Sequence, residues 1–236
     1  MNAQQLDPLL VSQRIREDYE RYIETAFPMK NPSLRQQFRE LLRRRDFLVR
    51  GPYLEATPPF ENGRSLREIL ATGVFCQSMA DLDGPGFPGY GYPIDRSLYR
   101  HQEQAITKVG KGRNVVVATG TGSGKTEAFL LPIIDHLLRE REAGTLRRPG
   151  VRALLLYPMN ALANDQLKRL RRLLQKVPDV TFGRYTGQTL DSQDEAEQEF
   201  RRVFPNEPRI KNELICRDEM RDHPPHILLT NYAMLE

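Results

Sequence analysis

The stretch "VVVATGTGSGKTEAF", residues 115–129, limits the folds open to this chain more than any other feature. A β-branched apolar run enters a glycine-rich turn, and Lys125 and Thr126 follow at once. The valines predict a buried strand over 114–118, and residues 125–139 predict a helix. A strand–turn–helix unit of this composition suits a polyphosphate. Gly120, Gly122 and Gly124 let backbone N–H groups approach phosphate oxygens with no side chain between. The helix brings its positive dipole end to the same place. Lys125 would reach the β- and γ-phosphates, and the Thr126 hydroxyl would ligate Mg²⁺. The candidate nucleotide-binding set is therefore Thr119, Gly120, Thr121, Gly122, Ser123, Gly124, Lys125 and Thr126, with Lys125 and Thr126 also assigned the catalytic roles. The strict pattern G-x-x-x-x-G-K-[ST] begins with glycine, whereas this chain has Thr119 there.

The segments around the loop extend the pattern. "RALLLYP" (152–158), "VTFGRYTG" (180–187) and "HILLTN" (226–231) read as strands. They alternate with helical spacing over 99–110, 125–139 and 160–176, which argues a parallel sheet with crossover helices, an α/β domain. A charged excursion, 190–222, is long for a simple loop and predicts helices of its own. Upstream, apolar residues recur at helical spacing over 9–27 and 33–48, with Ser33 after Pro32 as the expected cap. A short helix follows at 65–71. "DGPGFPGYGYP", 83–93, packs glycine and proline too densely for regular structure and is the expected boundary. The division is a mainly helical N-terminal region, 1–93, and an α/β domain, 94–236.

Composition adds bounds. The formal charge is +4 over 236 residues. Residues 1–98 carry as many acidic as basic side chains, so the excess lies in 99–236, mildly favouring a polyanionic partner. On the helix 160–176, Lys168, Arg169, Arg171, Arg172 and Lys176 read as a solvated face opposite Leu167, Leu170, Leu174 and Val177; electrostatic attraction of nucleic acid is the alternative. Cys76 and Cys216 stand alone, with no zinc spacing or disulfide framework. No apolar run is long enough to cross a membrane, and the N-terminus lacks a leader pattern. The expectation is a cytoplasmic protein with no membrane partner.

With these segments in hand, the chain resembles the first motor domain of superfamily 2 helicases of the DEAD/DEAH type. "ATGTGSGKT" is similar to that superfamily's phosphate-binding motif, in which a non-glycine first position is ordinary. "LYRHQEQAI" (98–106) resembles its adenine-recognising element, which implies that Gln102 contacts the adenine of ATP. "YPMNALANDQ" (157–166), "YTG" (185–187) and "ILLTNYAML" (227–235) resemble the elements that meet the nucleic-acid backbone. They imply contacts from Pro158, Asn160, Gln166, Thr186, Gly187, Thr230 and Asn231 to single-stranded DNA or RNA. "NELICRDEM" and "GPYLEATPPFENGRSLREIL" are similar to the bacterial MrfA/YprA-like branch, which includes helicases of DISARM-type anti-phage systems. The resemblance covers 98–236 and implies a RecA-like fold with ATP and Mg²⁺ as cofactors.

Hydrolysis in this class needs an acidic pair at a strand end. "DEAE" (194–197) follows "TLDSQ" rather than an apolar strand, and "RDEMRDH" (217–223) fails likewise. The family places its acidic box after the "TN" element. The expectation is therefore the ATP-binding half of a longer nucleic-acid-dependent ATPase or helicase, its RecA-like sheet incomplete at the C-terminus. A second RecA-like domain would lie in the same parent chain, and these 236 residues alone would bind ATP weakly without turnover. The alternatives are a module that holds ATP or nucleic acid without hydrolysis, and a P-loop kinase.

Overall fold

Residues 7–44, 46–53, 59–120, 122–207 and 209–235 are described in a computed structural model of the chain, which divides into two compact units, 1–59 and 60–236. The first holds helices α1 (Pro8–Ala26) and α2 (Pro32–Leu42). Both start alike: Asp7 and Asn31 accept first-turn N–H groups, and a proline occupies the first helical position, where no N–H is needed. Asn31, rather than Ser33, is thus the cap of α2; Ser33 donates its own N–H to Asn31 Oδ1 at 2.9 Å. Arg39–Glu24 at 2.9 Å and Arg43–Glu20 at 3.6 Å tie the two helices together.

In the second unit β1 (Asn62–Ser65) pairs antiparallel with β2 (Ser97–Tyr99). Helix α3 (Leu66–Ala71) starts on a reciprocal capping box between Ser65 and Glu68. The glycine- and proline-rich loop 83–93 lies within this unit. Tyr92 is buried and its N–H bonds Leu82 O at 2.7 Å, while the Gly91 N–H bonds Arg172 O at 3.1 Å. Helix α4 (Arg100–Gly110) follows β2.

The main sheet is parallel throughout. Its order is β3 (Ala153–Tyr157), β6 (Ile227–Asn231), β4 (Phe182–Tyr185) and β5 (Glu213–Leu214). Helices α5 (Lys125–Glu142) and α6 (Asn160–Leu174) bury Ile134, Leu137, Leu138, Leu170 and Leu174 in one core with Phe182, Ile227 and Leu229 of the sheet. This is the α/β layering expected from the alternation of strands and helices. The excursion forms α7 (Gln193–Val203), β5 and α8 (Arg217–Asp222), as its length requires. The acidic runs 194–197 and 217–223 fall on or beside these helices.

Two further expectations are corrected. Residues 113–120 form no strand, and Val116 is 94% exposed. Valine favours an extended backbone, but a strand also needs a hydrogen-bonding neighbour, and the run pairs with none among the described residues. Arg171 does not belong to a solvated face: it is 2% exposed. The excursion delivers two carboxylates to it, so a cation that reads as surface on the helix is covered by tertiary packing.

Candidate functional site

The glycine loop ends at the first turn of α5. Gly122 and Gly124 hold φ of 76° and 68°, the left-handed region that glycine enters without a Cβ penalty. At Gly124 space is also decisive, because a Cβ there would lie 2.4 Å from Gln102 Nε2 and 3.0 Å from Glu127 Oε2. At Gly120 and Gly122 a Cβ would meet nothing within 4 Å, so that side of the loop is open. Thr119 Oγ1 and Ser123 Oγ share a hydrogen bond of 2.6 Å that closes the base of the turn. Lys125 Nζ donates to Thr119 O at 2.9 Å and Gly120 O at 2.7 Å, which puts its ammonium in the curl. Thr126 is half-buried in the first turn and lines a cavity of about 150 Å³ with Arg96, Glu127, Arg169 and Arg172. Thr121 lies outside the described residues. An open loop side, a lysine held by two loop carbonyls and a hydroxyl at a helix N-terminus are a donor set that fits a triphosphate with Mg²⁺.

Helix α4 clamps the loop from behind. Gln102 is 3% exposed and bridges two backbone groups: its Oε1 accepts the Tyr99 N–H at 2.7 Å and its Nε2 donates to Gly124 O at 2.7 Å. His101 adds a 2.9 Å contact from Nε2 to Ser123 O, and its ring stacks on Tyr99. Glu127 has a buried Oε2 with no hydrogen bond among the described residues, and Arg96 at 3.8 Å and Arg169 at 3.9 Å from its other oxygen. His101 and Glu127 stand inside the quoted motifs, yet nothing in their spacing assigns them a role; the fold supplies it.

The strand ends gather the remaining candidates. In register, Tyr157 pairs with Asn231 and Tyr185 with Thr230, so the carboxyl ends of β3, β6 and β4 are level. Asn160 begins α6, and its Oδ1 accepts from Asn231 Nδ2 at 2.7 Å. The Thr230 hydroxyl donates to Tyr185 O at 2.7 Å. Thr186 is fully buried; its N–H bonds Thr189 Oγ1 at 3.0 Å, and its carbonyl accepts from Arg217 Nη2 at 3.2 Å. Pro158 and Gly187 are exposed on this edge, and Gln166 is half-buried on α6. Asn160, Thr186, Gly187, Thr230 and Asn231 are thus brought to one edge, where parallel α/β sheets bind ligands. The two threonine hydroxyls are engaged with the protein backbone. Burial pushes the Tyr157 phenol beneath this edge up to about 12.

Arg171 braces α6 against the excursion. Its Nε and Nη2 meet both oxygens of Glu213 at 2.6 and 2.8 Å, and its Nη1 meets Glu207 at 2.8 Å. Phe200 and Phe204 cover the guanidinium, with ring centroids at 4.9 and 4.5 Å. Burial opposes the charge, and the Glu213 and Glu207 carboxylates outweigh it, leaving the pKa above the ordinary arginine value.

A phosphate-binding loop ahead of a crossover helix, with polar motif residues aligned at the carboxyl edge of a parallel sheet, defines a P-loop α/β nucleotide-binding domain. The chain belongs to the DEAD/DEAH box helicase family, whose profile matches residues 99–223. It is 38% identical over 188 residues to Druantia protein DruE of Escherichia coli, a match covering 73% of this chain and 10% of that protein. It is 34% identical over 93 residues to the uncharacterized ATP-dependent helicase YprA of Bacillus subtilis, covering 39% of this chain and 11% of that one. The DNA-bound crystal structure of DUF1998 helicase MrfA aligns over 75% of this chain and 18% of its own, with a TM-score of 0.46 and 24% identity. The chain spans about a tenth of the length of these two curated relatives. Among the described residues, no helix is long and apolar enough to cross a membrane.

Proposed function

We propose that this chain is the ATP-binding half of a nucleic-acid-dependent ATPase or helicase of superfamily 2. The observation that carries the reading is Lys125, whose ammonium is held by two loop carbonyls at 2.7 and 2.9 Å at the start of an 18-residue helix. Those carbonyls are weaker partners for a cation than phosphate oxygens. On ATP binding Lys125 exchanges them for the β- and γ-phosphates, while the loop N–H groups and the N-terminus of α5 hold the remaining oxygens. Thr126 is the Mg²⁺ ligand of this chain; when bound, the ion neutralises charge on the phosphates. Gln102 fixes the loop to α4 and offers its remaining amide valence to adenine.

A single strand of DNA or RNA tracks across the carboxyl edge. Pro158, Asn160, Gln166 and Gly187 meet its backbone, while Thr186, Thr230 and Asn231 hold the strand ends in place. Contacts of this kind go to phosphates and sugars rather than bases. A second RecA-like domain of the same parent protein completes the ATP cleft. A second reading, a module that holds ATP without turnover, is favoured by the placement of both acidic runs on helices rather than at strand ends.

The test is a calorimetric titration of the 236-residue chain with ATP·Mg²⁺, paired with fluorescence anisotropy on a single-stranded oligonucleotide at rising salt and a phosphate-release assay. Nucleotide binding that Lys125→Ala abolishes, with oligonucleotide affinity falling as salt rises, supports the reading. No binding of either ligand overturns it. Turnover above the Lys125→Ala background removes the holding-module alternative.

A further inference from the structure

A cavity of about 350 Å³ lies beside the carboxyl edge, between α6, β4 and α7. Its volume is in the range of small-molecule sites, about 300–1,000 Å³. Its lining mixes apolar Leu167, Phe200 and Val203 with polar Asn164, Arg184 and Gln188. Arg184 Nη1 donates to Asn164 Oδ1. Among the described residues Arg184 has no carboxylate within ion-pair distance, since the nearby Glu213 is committed to Arg171. Burial holds the Arg184 pKa below the ordinary arginine value, opposed by the charge of Glu213. A half-buried guanidinium with one amide partner keeps most of its N–H donors for a ligand.

The position of the cavity identifies the ligand class. Arg184 directly precedes the Tyr185–Thr186–Gly187 element, Gln188 directly follows it, and Asn164 lies one turn along α6 from Asn160. All three polar residues therefore border the edge assigned above to a nucleic-acid backbone. An apolar lining of Leu167, Phe200 and Val203 is a poor host for a hydrated phosphate. A nucleobase matches this mixed lining: its face packs on apolar and aromatic side chains, and its edge takes hydrogen bonds from amides and guanidinium. We propose that this cavity receives one unstacked base of the bound strand, giving base preference to an interface otherwise made of backbone contacts. The inference rests on the nucleic-acid reading of the edge.

The test is abasic scanning of a short single-stranded DNA by fluorescence anisotropy with the 236-residue chain, with Val203→Trp to fill the mouth of the cavity and Gln188→Ala to remove one edge partner. Val203 is 49% exposed and Gln188 is exposed. The expected result is one position at which loss of the base weakens binding about 5- to 100-fold, the range for one stacked base. In Val203→Trp intact and abasic strands bind alike. In Gln188→Ala the preference among the four bases at that position shrinks, and this readout decides the matter if Val203→Trp does not fold. Salt-dependent binding in which no position is sensitive to base loss overturns the inference and leaves the nucleic-acid reading standing. Absence of oligonucleotide binding overturns both.

Discussion

The side-chain amide of Asn231 donates to Oδ1 of Asn160 across 2.7 Å, joining the end of β6 to the first residue of α6 over 71 positions of sequence. This bond fastens two of the elements assigned to the nucleic-acid edge. The other amide atom, Asn231 Oδ1, is buried and has no hydrogen-bond partner among the described residues. A double-mutant cycle on Asn160→Ala and Asn231→Ala is expected to give a coupling of about 0.5–1.5 kcal/mol in urea unfolding, the net worth of one such bond. Additive effects would show that the two side chains do not cooperate in solution.

Lys125→Ala is expected to weaken triphosphate binding about 10- to 150-fold, equivalent to the roughly 1.5–3 kcal/mol of a hydrogen bond to a charged group. Isothermal titration calorimetry reads this directly, and equal affinities would rule out the assigned role. Stability should change little, because the partners lost in the free protein are two loop carbonyls at its open side.

Gln102→Ala tests two roles at once. Removing the side chain leaves the Tyr99 N–H and Gly124 C=O without their bonds at a buried position, at a cost of about 1–3 kcal/mol. Thermal unfolding should show the loss. If the amide also reads adenine, the wild type prefers ATP over GTP and the variant does not. Equal binding of both nucleotides by the wild type removes the adenine role and leaves the clamp.

Glu213→Ala is expected to destabilise the fold by about 3–5 kcal/mol, because Arg171 keeps its charge at 2% exposure with only Glu207 left. The double variant Arg171→Met with Glu213→Leu should recover much of that loss, since an apolar pair needs no compensation there. Urea midpoints for the three proteins check the order, and a double variant weaker than Glu213→Ala would refute the account.

His226 sets a pH dependence. Its Nδ1 accepts the Thr181 N–H at 3.0 Å and its Nε2 donates to Leu146 O at 2.9 Å, so the ring is neutral in the fold. Burial pushes its pKa below the ordinary value, and the Arg152 charge adds to this while Glu140 and the Leu146 carbonyl oppose it. The unfolded chain therefore binds a proton below about pH 6.5, before the native state does. Stability from this residue is complete above that value and is lost as pH falls toward the lowered folded pKa. Urea midpoints at about pH 7.5 and about pH 5.5 should differ, and His226→Gln should reduce the difference. An unchanged slope would place the titration elsewhere.

The sequence alone determined the parts whose signal is local. The glycine loop, Lys125 and Thr126 are contiguous, and helix α5 begins at Lys125 because a left-handed Gly124 ends the turn there. Strands β3 and β6 announce themselves as short apolar runs and β4 as a short segment carrying Val180, Phe182 and Tyr185, each ending in a motif residue, and their alternation with helices implies a parallel sheet. Tertiary structure decided the rest, because pairing and burial depend on what residues distant in sequence bring together. The valine run looks as strand-like as "RALLLYP", yet it pairs with nothing among the described residues. Arg171 looks as solvated as Lys168 until Glu207, Glu213, Phe200 and Phe204 enclose it. The clamp of His101 and Gln102 on the loop spans 22 residues, and the Asn160–Asn231 bond spans 71. Such contacts leave no periodicity in the chain. They exist because the helices and the sheet bury one shared core, and that burial fixes which distant polar groups must satisfy one another.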